Sequence, residues 1–323
     1  MIEILNVDDF IGQEIDNEAV IAEGILDLGG IMLVEGPTEV GKSYFVIQMA
    51  LDLAAGKPWL GRWSVERPFN VLLIQAEIGK RQFQTRLKKL RANYPSPLNL
   101  EVLTAHAFRL DNDANIITLG DTIVSYEIEV LILDPMRPFH TGDENSSKEM
   151  EEFFYQLKSI QARRNLSIVE THHERKPSYD QLGRKIGGNK YDARGSSLIT
   201  DRPDTILRLS PTKESDKVQL TFEKLRNNDE FKKPEPMTLL KNIDTGLFVT
   251  TGSEDIGRLK EGDILTLLTG QIELGELKRM IVAKFGVSSK TAEHRLNEME
   301  GQHLIVKETD PGDKRRKLVK VAL

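Results

Sequence analysis

The chain has 323 residues, of which 39% are hydrophobic and 29% are charged, and its formal net charge is −6. This balance is typical of a globular protein, and the lack of cysteine excludes disulfides and thiolate-bound zinc. Because no apolar run approaches the ~20 residues that span a bilayer, and the acidic first residues do not resemble a secretory signal, we expect a cytoplasmic protein without membrane contact.

Residues 30–208 alternate short apolar runs with amphipathic stretches. The runs are Ile31–Glu35, Val71–Gln75, Val130–Asp134, Ser167–Thr171 and Thr205–Leu209. Runs of this length between helical patterns predict the buried strands of a mostly parallel sheet. Val218–Leu225 and Gly246–Thr250 predict an antiparallel extension, with a loop between Leu225 and Leu239. We therefore predict one α/β domain over residues 1–250.

The pattern changes after a polar, glycine-bearing segment at residues 251–259, which we interpret as a linker. Helical spacing follows at Asp263–Leu268, Leu274–Phe285 and Ser288–Glu300. Two strands are then predicted, Leu304–Glu308 and Lys317–Leu323, around a turn. Three helices followed by a hairpin is the order of a winged helix, so we predict a small winged-helix domain over residues 260–323.

A glycine-rich segment follows the first predicted strand and matches G-x-x-x-x-G-K-[ST] at every fixed position. Such loops surround a phosphate with backbone N–H groups, and the next helix adds positive partial charge. We expect Lys42 to reach the β- and γ-phosphates of ATP, and Ser43 to bind Mg²⁺. The predicted lining is Gly36, Pro37, Thr38, Glu39, Val40, Gly41, Lys42, Ser43 and Tyr44. The alternative is an ordinary glycine turn, and the acid Glu39 fits an anion site only if it points to solvent.

Two further predicted strands end in or before an acid. Asp134 closes the run VLILD, so a buried strand would deliver it to the edge beside the phosphate loop, where it can hold Mg²⁺. It could instead cap the next turn. Glu77 follows the run VLLIQ and could polarise the water that attacks the γ-phosphate. It could equally cap the helix that we predict around Lys80–Leu90, and both interpretations stay open.

These motifs, in this order, resemble the RecA-like ATPases, most closely the hexameric RepA-type plasmid helicases and their phage and mobile-element relatives. The stretches that carry the resemblance are AEGILDLGGIMLVEGPTEVGKS, VLLIQAE, VLILD, ETHHERK and ARGSSLITDRPDTILRL. The resemblance covers about Ala22 to Thr250. It implies a RecA-like P-loop NTPase core, with Glu77 as the catalytic acid and Asp134 as the Walker B residue.

The resemblance also implies roles for a histidine and for two cations. His172 would sense the γ-phosphate, because the end of its strand lies near the nucleotide in this fold; a metal site or a solvated histidine pair are the alternatives. FEKLRNN is similar to a Lys-x-Arg element of ring ATPases, in which two cations reach the γ-phosphate of the neighbouring subunit. This maps onto Lys224 and Arg226 and implies a homo-oligomer, expected to be a hexameric ring.

Three regions are candidates for DNA contact. In RecA-like proteins the loop after the histidine strand faces nucleic acid, and here the Arg175–Arg194 segment is basic and glycine-rich. Its predicted contacts with single-stranded DNA are Arg175, Lys176, Arg184, Lys185 and Lys190, with Tyr179 or Tyr191 to stack on bases. A mobile surface lid is the alternative. The loop Pro135–Ser147 is a second, more acidic candidate.

The winged helix is the other DNA candidate, for duplex or forked DNA. Its recognition helix would expose Ser289, Lys290, His294, Arg295 and Asn297, and its wing would carry Lys314, Arg315, Arg316 and Lys317. Winged helices also dock proteins. The leading hypothesis is an ATP-driven DNA motor for a plasmid, phage or mobile element. The alternatives are a recombination or loading ATPase that does not unwind DNA, and an ATP-controlled DNA-binding regulator.

Overall fold

The computed structural model describes residues 4–13, 18–22, 24–105, 108–174, 178–179, 185–186, 197–228, 233–251, 261–268, 270–285, 289–302, 304–309, 312 and 317–322. The strands are β1 Ala19–Ile21, β2 Leu26–Asp27, β3 Ile31–Gly36, β4 Val71–Gln75, β5 Leu100–Thr104, β6 Val130–Asp134, β7 Ser167–His173, β8 Ser178–Tyr179, β9 Lys185–Ile186, β10 Thr205–Pro211, β11 Lys217–Leu225, β12 Met237–Lys241, β13 Phe248–Thr251, β14 Ile272–Glu273, β15 Ile305–Thr309 and β16 Lys317–Val321. The α-helices are α1 Val7–Ile11, α2 Lys42–Ala55, α3 Lys80–Arg91, α4 Asp113–Ser125, α5 Ser147–Gln161, α6 Leu198–Asp201, α7 Glu261–Leu265, α8 Leu274–Phe285 and α9 Ser289–Gly301. Among these helices, none combines the length and apolar character needed to cross a bilayer.

Within the described residues, nine strands form the central sheet in the order β13-β12-β11-β10-β3-β7-β6-β4-β5. The strands from β10 to β5 run parallel, and β11, β12 and β13 continue the sheet in antiparallel pairs. The predicted α/β class with a mostly parallel sheet is therefore confirmed. The strands predicted at Val71–Gln75 and Val130–Asp134 have those bounds.

In the central sheet, two strands lie where the sequence pattern predicts none. Strand β5 is at the edge of the sheet, and its three middle residues are exposed, so it lacks the apolar run of a buried strand. Strand β12 falls partly inside the loop predicted between Leu225 and Leu239, and that prediction is wrong at its end. The strand starts directly after Pro236 and pairs with Lys217–Leu220 of β11. Proline therefore marks the end of the connection here, not its centre.

The two faces of the sheet carry separate hydrophobic clusters. Every residue of β4 and β6 is buried, and successive side chains point to opposite faces. Val71 and Leu73 join the cluster that includes α2, whereas Leu72 and Ile74 join the one that includes α4 and α5. Because helices cover both faces, polar groups gather at the carboxyl edge of the strands.

The C-terminal residues form a smaller unit with its own core. Strands β14, β16 and β15 make a three-stranded sheet in that order, and α8 and α9 pack against it. The buried residues of this unit are Ile264, Leu268, Leu277, Ile281, Ala292, Leu296, Met299, Ile305 and Val319. The element order α7-β14-α8-α9-β15-β16 agrees with the predicted winged helix, whose assignment and boundaries stay a prediction. Residues 252–260, which include nearly all of the predicted linker, lie outside the described residues.

One buried acid predicts a pH-dependent stability. Glu170 lies in the middle of β7 and is 2% exposed, and burial raises its pKa to about 7 despite the nearby charge of Arg202. When the pKa of a carboxyl group is higher in the folded than in the unfolded state, its contribution to stability is fully present at a pH below the unfolded-state pKa. That contribution is lost as the pH rises through the folded-state pKa. We therefore expect Glu170→Gln to increase the free energy of unfolding at pH 8 by up to about 3 kcal/mol.

The measurement is urea unfolding of both proteins at pH 8 and at pH ~3.5, where the carboxyl is mostly protonated in both states and the difference should largely vanish. Glu151→Gln, at an exposed position of α5, is the matched control and should change stability little at either pH. Equal effects of Glu170→Gln at the two pH values would show that the charge of Glu170 does not destabilise the fold.

Candidate nucleotide-binding and catalytic site

The phosphate loop connects β3 to α2, and two glycines fix its shape. A Cβ at Gly36 would lie 2.5 Å from the carbonyl oxygen of Leu209, so only glycine fits beside β10. Gly41, the N-cap of α2, has φ +106°, which L residues rarely adopt, and a Cβ there would lie 3.0 Å from the ring of Phe248. The loop backbone is thereby bent around the N-terminus of α2, as a phosphate site requires.

The other loop residues differ in their exposure to solvent. Thr38 and Glu39 are exposed, and Pro37 and Val40 are half-buried. Glu39 has φ +67°, a left-handed conformation that is unusual for a non-glycine residue. Since its carboxylate is exposed to solvent, the acid is compatible with an anion-binding loop.

Lys42 is buried against the loop that it serves. Its ammonium donates hydrogen bonds to the carbonyl oxygens of Gly36, at 2.6 Å, and Pro37, at 2.9 Å. Burial lowers its pKa to about 8, although the charges of Asp134, Glu174 and Glu77 act in the opposite direction. A desolvated ammonium in this position is stabilised by an anion, and a phosphate would supply one.

Asp134 provides the features of a Mg²⁺ ligand. It is 3% exposed at the end of β6 and accepts hydrogen bonds from the hydroxyl groups of Thr171, at 2.7 Å, and Ser43. Burial raises its pKa, and the charge of Lys42 offsets this only in part. A buried carboxylate beside a serine hydroxyl fits Mg²⁺, which takes one or two carboxylates together with water and phosphate oxygens. Neither hydrogen bond caps the next turn, the alternative role of Asp134.

Glu77 lies next to this group. Gln75 lies opposite Asp134 in the sheet, so β4 and β6 end at the same level. The charge of Glu77 raises the pKa values of Lys42, Asp134 and His173, which places its carboxylate near all three. The N-cap of α3 is Gly79, so Glu77 does not cap that helix. Its exposed carboxylate is accessible to water, as a general base must be.

Gln75 is a positioning residue that sequence reasoning missed. With its amide oriented to satisfy both groups, its oxygen accepts a hydrogen bond from the backbone N–H of Glu77 at 2.7 Å, and its nitrogen donates to the carbonyl of Ile78 at 2.9 Å. The side chain is buried at the end of β4. It therefore fixes the turn that carries Glu77. A polar residue closing an otherwise apolar strand was the only signal in the sequence.

The two histidines at the end of β7 face opposite sides. His173, not His172, lies beside the phosphate loop: its Nδ1 is 3.2 Å from Nζ of Lys42 and accepts that hydrogen bond. Burial and the charge of Lys42 lower the pKa of His173, so it is neutral at pH 7. His172 is buried on the other side, with Nε2 3.1 Å from Oε1 of Glu144. The register explains this, because Gly36 pairs with His173 and Glu35 with His172.

Lys224 and Arg226 lie away from the phosphate loop, toward the amino-terminal end of β3. Lys224 is level with Leu33 through Ile206, and Arg226 binds Asp204, which is bonded to Ile31. At ~3.3 Å per residue this is about 10 to 16 Å along the strands from Gly36. Lys224 donates to the carbonyl groups of Thr200 and Asp201, and Arg226 also donates to Asp201. The two cations therefore do not approach the phosphate loop of their own chain.

A cluster around Arg208 joins three strands and the residue after β7, directly below the loop. Its guanidinium lies 2.7 Å from Glu35, 3.1 Å from Glu174 and 3.6 Å from Glu223. Burial raises the pKa of Glu35 although Arg208 lowers it. Because Glu174 follows His173 and Glu35 precedes Gly36, the cluster fixes the histidine against the loop. These residues lie on β3, β10 and β11 and directly after β7, far apart in the sequence, so no motif indicates them.

The predicted DNA contacts are only partly described. The side chains of several predicted DNA contacts lie outside the described part of the structure. They are the cations of the 175–194 segment, Tyr179, Tyr191, the wing residues 314–316, Lys290 and His294. The expectation that α9 exposes Arg295 is wrong. That side chain is 15% exposed and pairs with Glu261 at 3.3 Å, because its helix face packs toward α7.

The phosphate loop, the buried strand-end acid and the parallel sheet together define a P-loop NTPase. A protein-family model described as an AAA domain matches residues 2–179, more than half of the chain, and the chain belongs to this family. Its fold is the RecA-like one of known helicase domains. No curated protein matches the chain.

Two solved structures are similar in fold. One, described as an ATPase domain, has a TM-score of 0.51 and 14% identity, with 76% of this chain and 96% of that chain covered. A DnaB-like replicative helicase described with its primase interactions has a TM-score of 0.52 and 14% identity, with 76% of this chain and 67% of that chain covered. At this identity the likeness concerns the fold.

Proposed function

We propose that the protein is an ATP-driven DNA motor, a ring-forming helicase or translocase that serves the replication or maintenance of a plasmid, phage or mobile element. The observation that carries the proposal is the grouping of Lys42, Asp134 and Glu77 at one sheet edge, in a fold shared with replicative-helicase ATPase domains. The AAA domain family membership supports the ATPase part of the proposal.

The residues divide the proposed reaction among them. Lys42 exchanges hydrogen bonds to its own loop carbonyls for bonds to the β- and γ-phosphate oxygens of ATP. Ser43 and Asp134 hold Mg²⁺, which when bound neutralises charge on those oxygens. Glu77 accepts a proton from the attacking water, in the turn fixed by Gln75. Tyr44 follows on the first turn of α2, and its backbone N–H is available to the phosphates.

We assign phosphate sensing to His173 instead of His172. The hydrogen bond between His173 and Lys42 must respond when a phosphate draws the ammonium away. His172, on the opposite face, is tied to Glu144 in the loop Pro135–Ser147. Since both histidines lie on one rigid strand end, a shift at the phosphate loop would reach this loop, one of the candidates for DNA contact.

The distant cations support an assembly in which sites form between subunits. Lys224 and Arg226 are too far from their own loop, yet Arg226 is half-exposed at the sheet end. In the proposed ring they complete the site of the neighbouring chain, where cations stabilise the transferred phosphoryl group. In this proposal, single-stranded DNA contacts the 175–194 segment, and duplex or forked DNA contacts the C-terminal unit.

The test is strand displacement on a forked DNA substrate, with ATP hydrolysis measured in parallel. The wild-type chain should displace the strand only with ATP, and Glu77→Gln and Arg226→Ala should each be inactive alone. Mixed in equal amounts, they should recover about a quarter of wild-type hydrolysis, since about one contact in four combines an intact Glu77 with an intact neighbouring Arg226.

Each contrary result has a definite meaning. If the mixture recovers no hydrolysis while sedimentation shows mixed assemblies, the cations do not act between subunits. If the wild type hydrolyses ATP in response to DNA but displaces no strand, the protein is a loading or recombination ATPase, or an ATP-controlled regulator. Lys148→Gln, an exposed change on α5, is the control and should leave both activities unchanged.

A further inference from the structure

Helix α3 is the most basic element of an acidic chain. Its twelve residues, KRQFQTRLKKLR, hold six lysines and arginines and no carboxylate. The cations are Lys80, Arg81, Arg86, Lys88, Lys89 and Arg91. Four of them are exposed, whereas Phe83 and Leu90 anchor the helix in the core. The charge therefore lies on the solvent face of a well-packed helix.

Helix stability does not explain this composition. Cations in the last turn, such as Lys88 and Lys89, interact favourably with the negative end of the helix dipole. Lys80 and Arg81 occupy the first turn, where the dipole is positive and an acid would be preferred. Across the described part of the chain, no carboxylate forms an ion pair with a cation of α3. The interaction of the first-turn cations with the helix dipole is therefore unfavourable, and helix stability does not account for their presence.

The basic surface extends beyond the helix. Nζ of Lys241 lies 3.6 Å from the ring centre of Tyr44, and the guanidinium of Arg86 lies 5.2 Å from the same ring. Burial lowers the pKa of Lys241, and the charges of Arg86 and Lys89 lower it further. The aromatic ring compensates these cations in part. These three cations, with no described acid among them, make a concentrated positive surface along α3 and the end of β12.

The chemistry of this surface favours one class of partner. A protein interface needs apolar side chains at its centre, and the exposed face of α3 offers none. Between its cations stand Gln82, Gln84 and Thr85, polar residues of the kind that hydrogen-bond to phosphate and sugar oxygens. The helix is about 18 Å long, comparable to about five phosphate spacings of one DNA strand. No exposed aromatic ring is present on this face of the described helix to stack on bases.

We propose that α3, extended by Lys241, binds the sugar-phosphate backbone of nucleic acid without reading its sequence. Its residues are different from those of the 175–194 segment and of the C-terminal unit. It rests on the proposed function only in that both require the chain to bind DNA. Since α3 follows Glu77 closely in the chain, nucleic acid on its first turn would lie near the catalytic edge.

The experiment compares Arg81→Gln/Lys88→Gln with Lys148→Gln/Lys158→Gln in the full chain. All four positions are exposed, and the second pair makes the same charge change on α5. Affinity for a labelled duplex of about 30 base pairs is measured by fluorescence anisotropy across a salt series. The α3 variant should weaken binding several-fold at about 0.1 M salt and reduce the slope of log K against log salt by about two units.

The control pair should match the wild type, and both variants should keep basal ATP hydrolysis. Lys241 is left intact because it touches Tyr44. An unchanged salt slope in the α3 variant, with a wild type that binds and unwinds DNA, overturns this proposal alone. A wild type that binds no DNA overturns it together with the motor. A changed sedimentation profile with unchanged DNA affinity identifies α3 as a subunit contact and also overturns it.

Discussion

Lys42→Ala is expected to reduce ATP hydrolysis about a thousandfold or more, because it removes the cation that neutralises charge on the transferred phosphoryl group. The fold should survive the change. Lys42 is 6% exposed, and burial lowers its pKa to about 8. The ammonium is therefore desolvated in the free protein, and its removal does not break a stabilising ion pair. The measurement is steady-state hydrolysis with saturating ATP and Mg²⁺, accompanied by thermal unfolding.

Lys42→Met is the matched control for this prediction. Methionine preserves the length and apolar stem of the side chain but carries no charge, so it should be as inactive as alanine while filling the space between Gly36 and His173. Substantial hydrolysis by the methionine variant would show that Lys42 supports the loop by packing, and that another cation neutralises the phosphates.

Glu77→Gln is expected to retain ATP binding and to lose turnover by about 10²- to 10⁴-fold, the usual contribution of a general base. Glutamine has the shape of glutamate but cannot accept a proton. Because the turn is fixed by the side chain of Gln75 and not by Glu77, the backbone should not move. Single-turnover hydrolysis and the affinity for a fluorescent ATP analogue separate the two effects.

Glu101→Gln provides the comparison for Glu77→Gln. Glu101 is an exposed carboxylate near the start of β5, at the other end of the strands from the phosphate loop. Its variant should hydrolyse ATP at the wild-type rate. Normal turnover of Glu77→Gln would mean that water is activated elsewhere, and the proposed division of roles around the loop would be wrong.

The elements that the sequence predicts best are those buried on both faces. Strands β4 and β6 match their predicted bounds because continuous apolar residues leave no ambiguity about where such a strand begins and ends. Strand β5 escapes because its edge position leaves Glu101, Val102 and Leu103 exposed. The phosphate loop is readable because its chemistry demands fixed residues at fixed spacing.

The histidine pair shows where sequence reasoning stops. Alternation along a strand predicts that His172 and His173 face opposite sides, but not which of them faces the loop. That choice depends on the register between β7 and β3, a property of the packed sheet. The Arg208 cluster is equally invisible, because Glu35, Glu174 and Glu223 come together only through the strand order. A motif of neighbouring residues can be recognised in a sequence, whereas contacts that depend on strand order and register cannot.

The separation between the phosphate loop and Lys224 and Arg226 bears on how the protein would behave at different concentrations. If those cations serve the neighbouring chain, a dilute subunit holds ATP but hydrolyses it poorly, with its own cations bound to the carbonyls of α6. Specific activity would then rise steeply with subunit concentration until assembly is complete. ATP would then be hydrolysed only where the subunit concentration is high enough for assembly, so that the local concentration of the protein controls its activity.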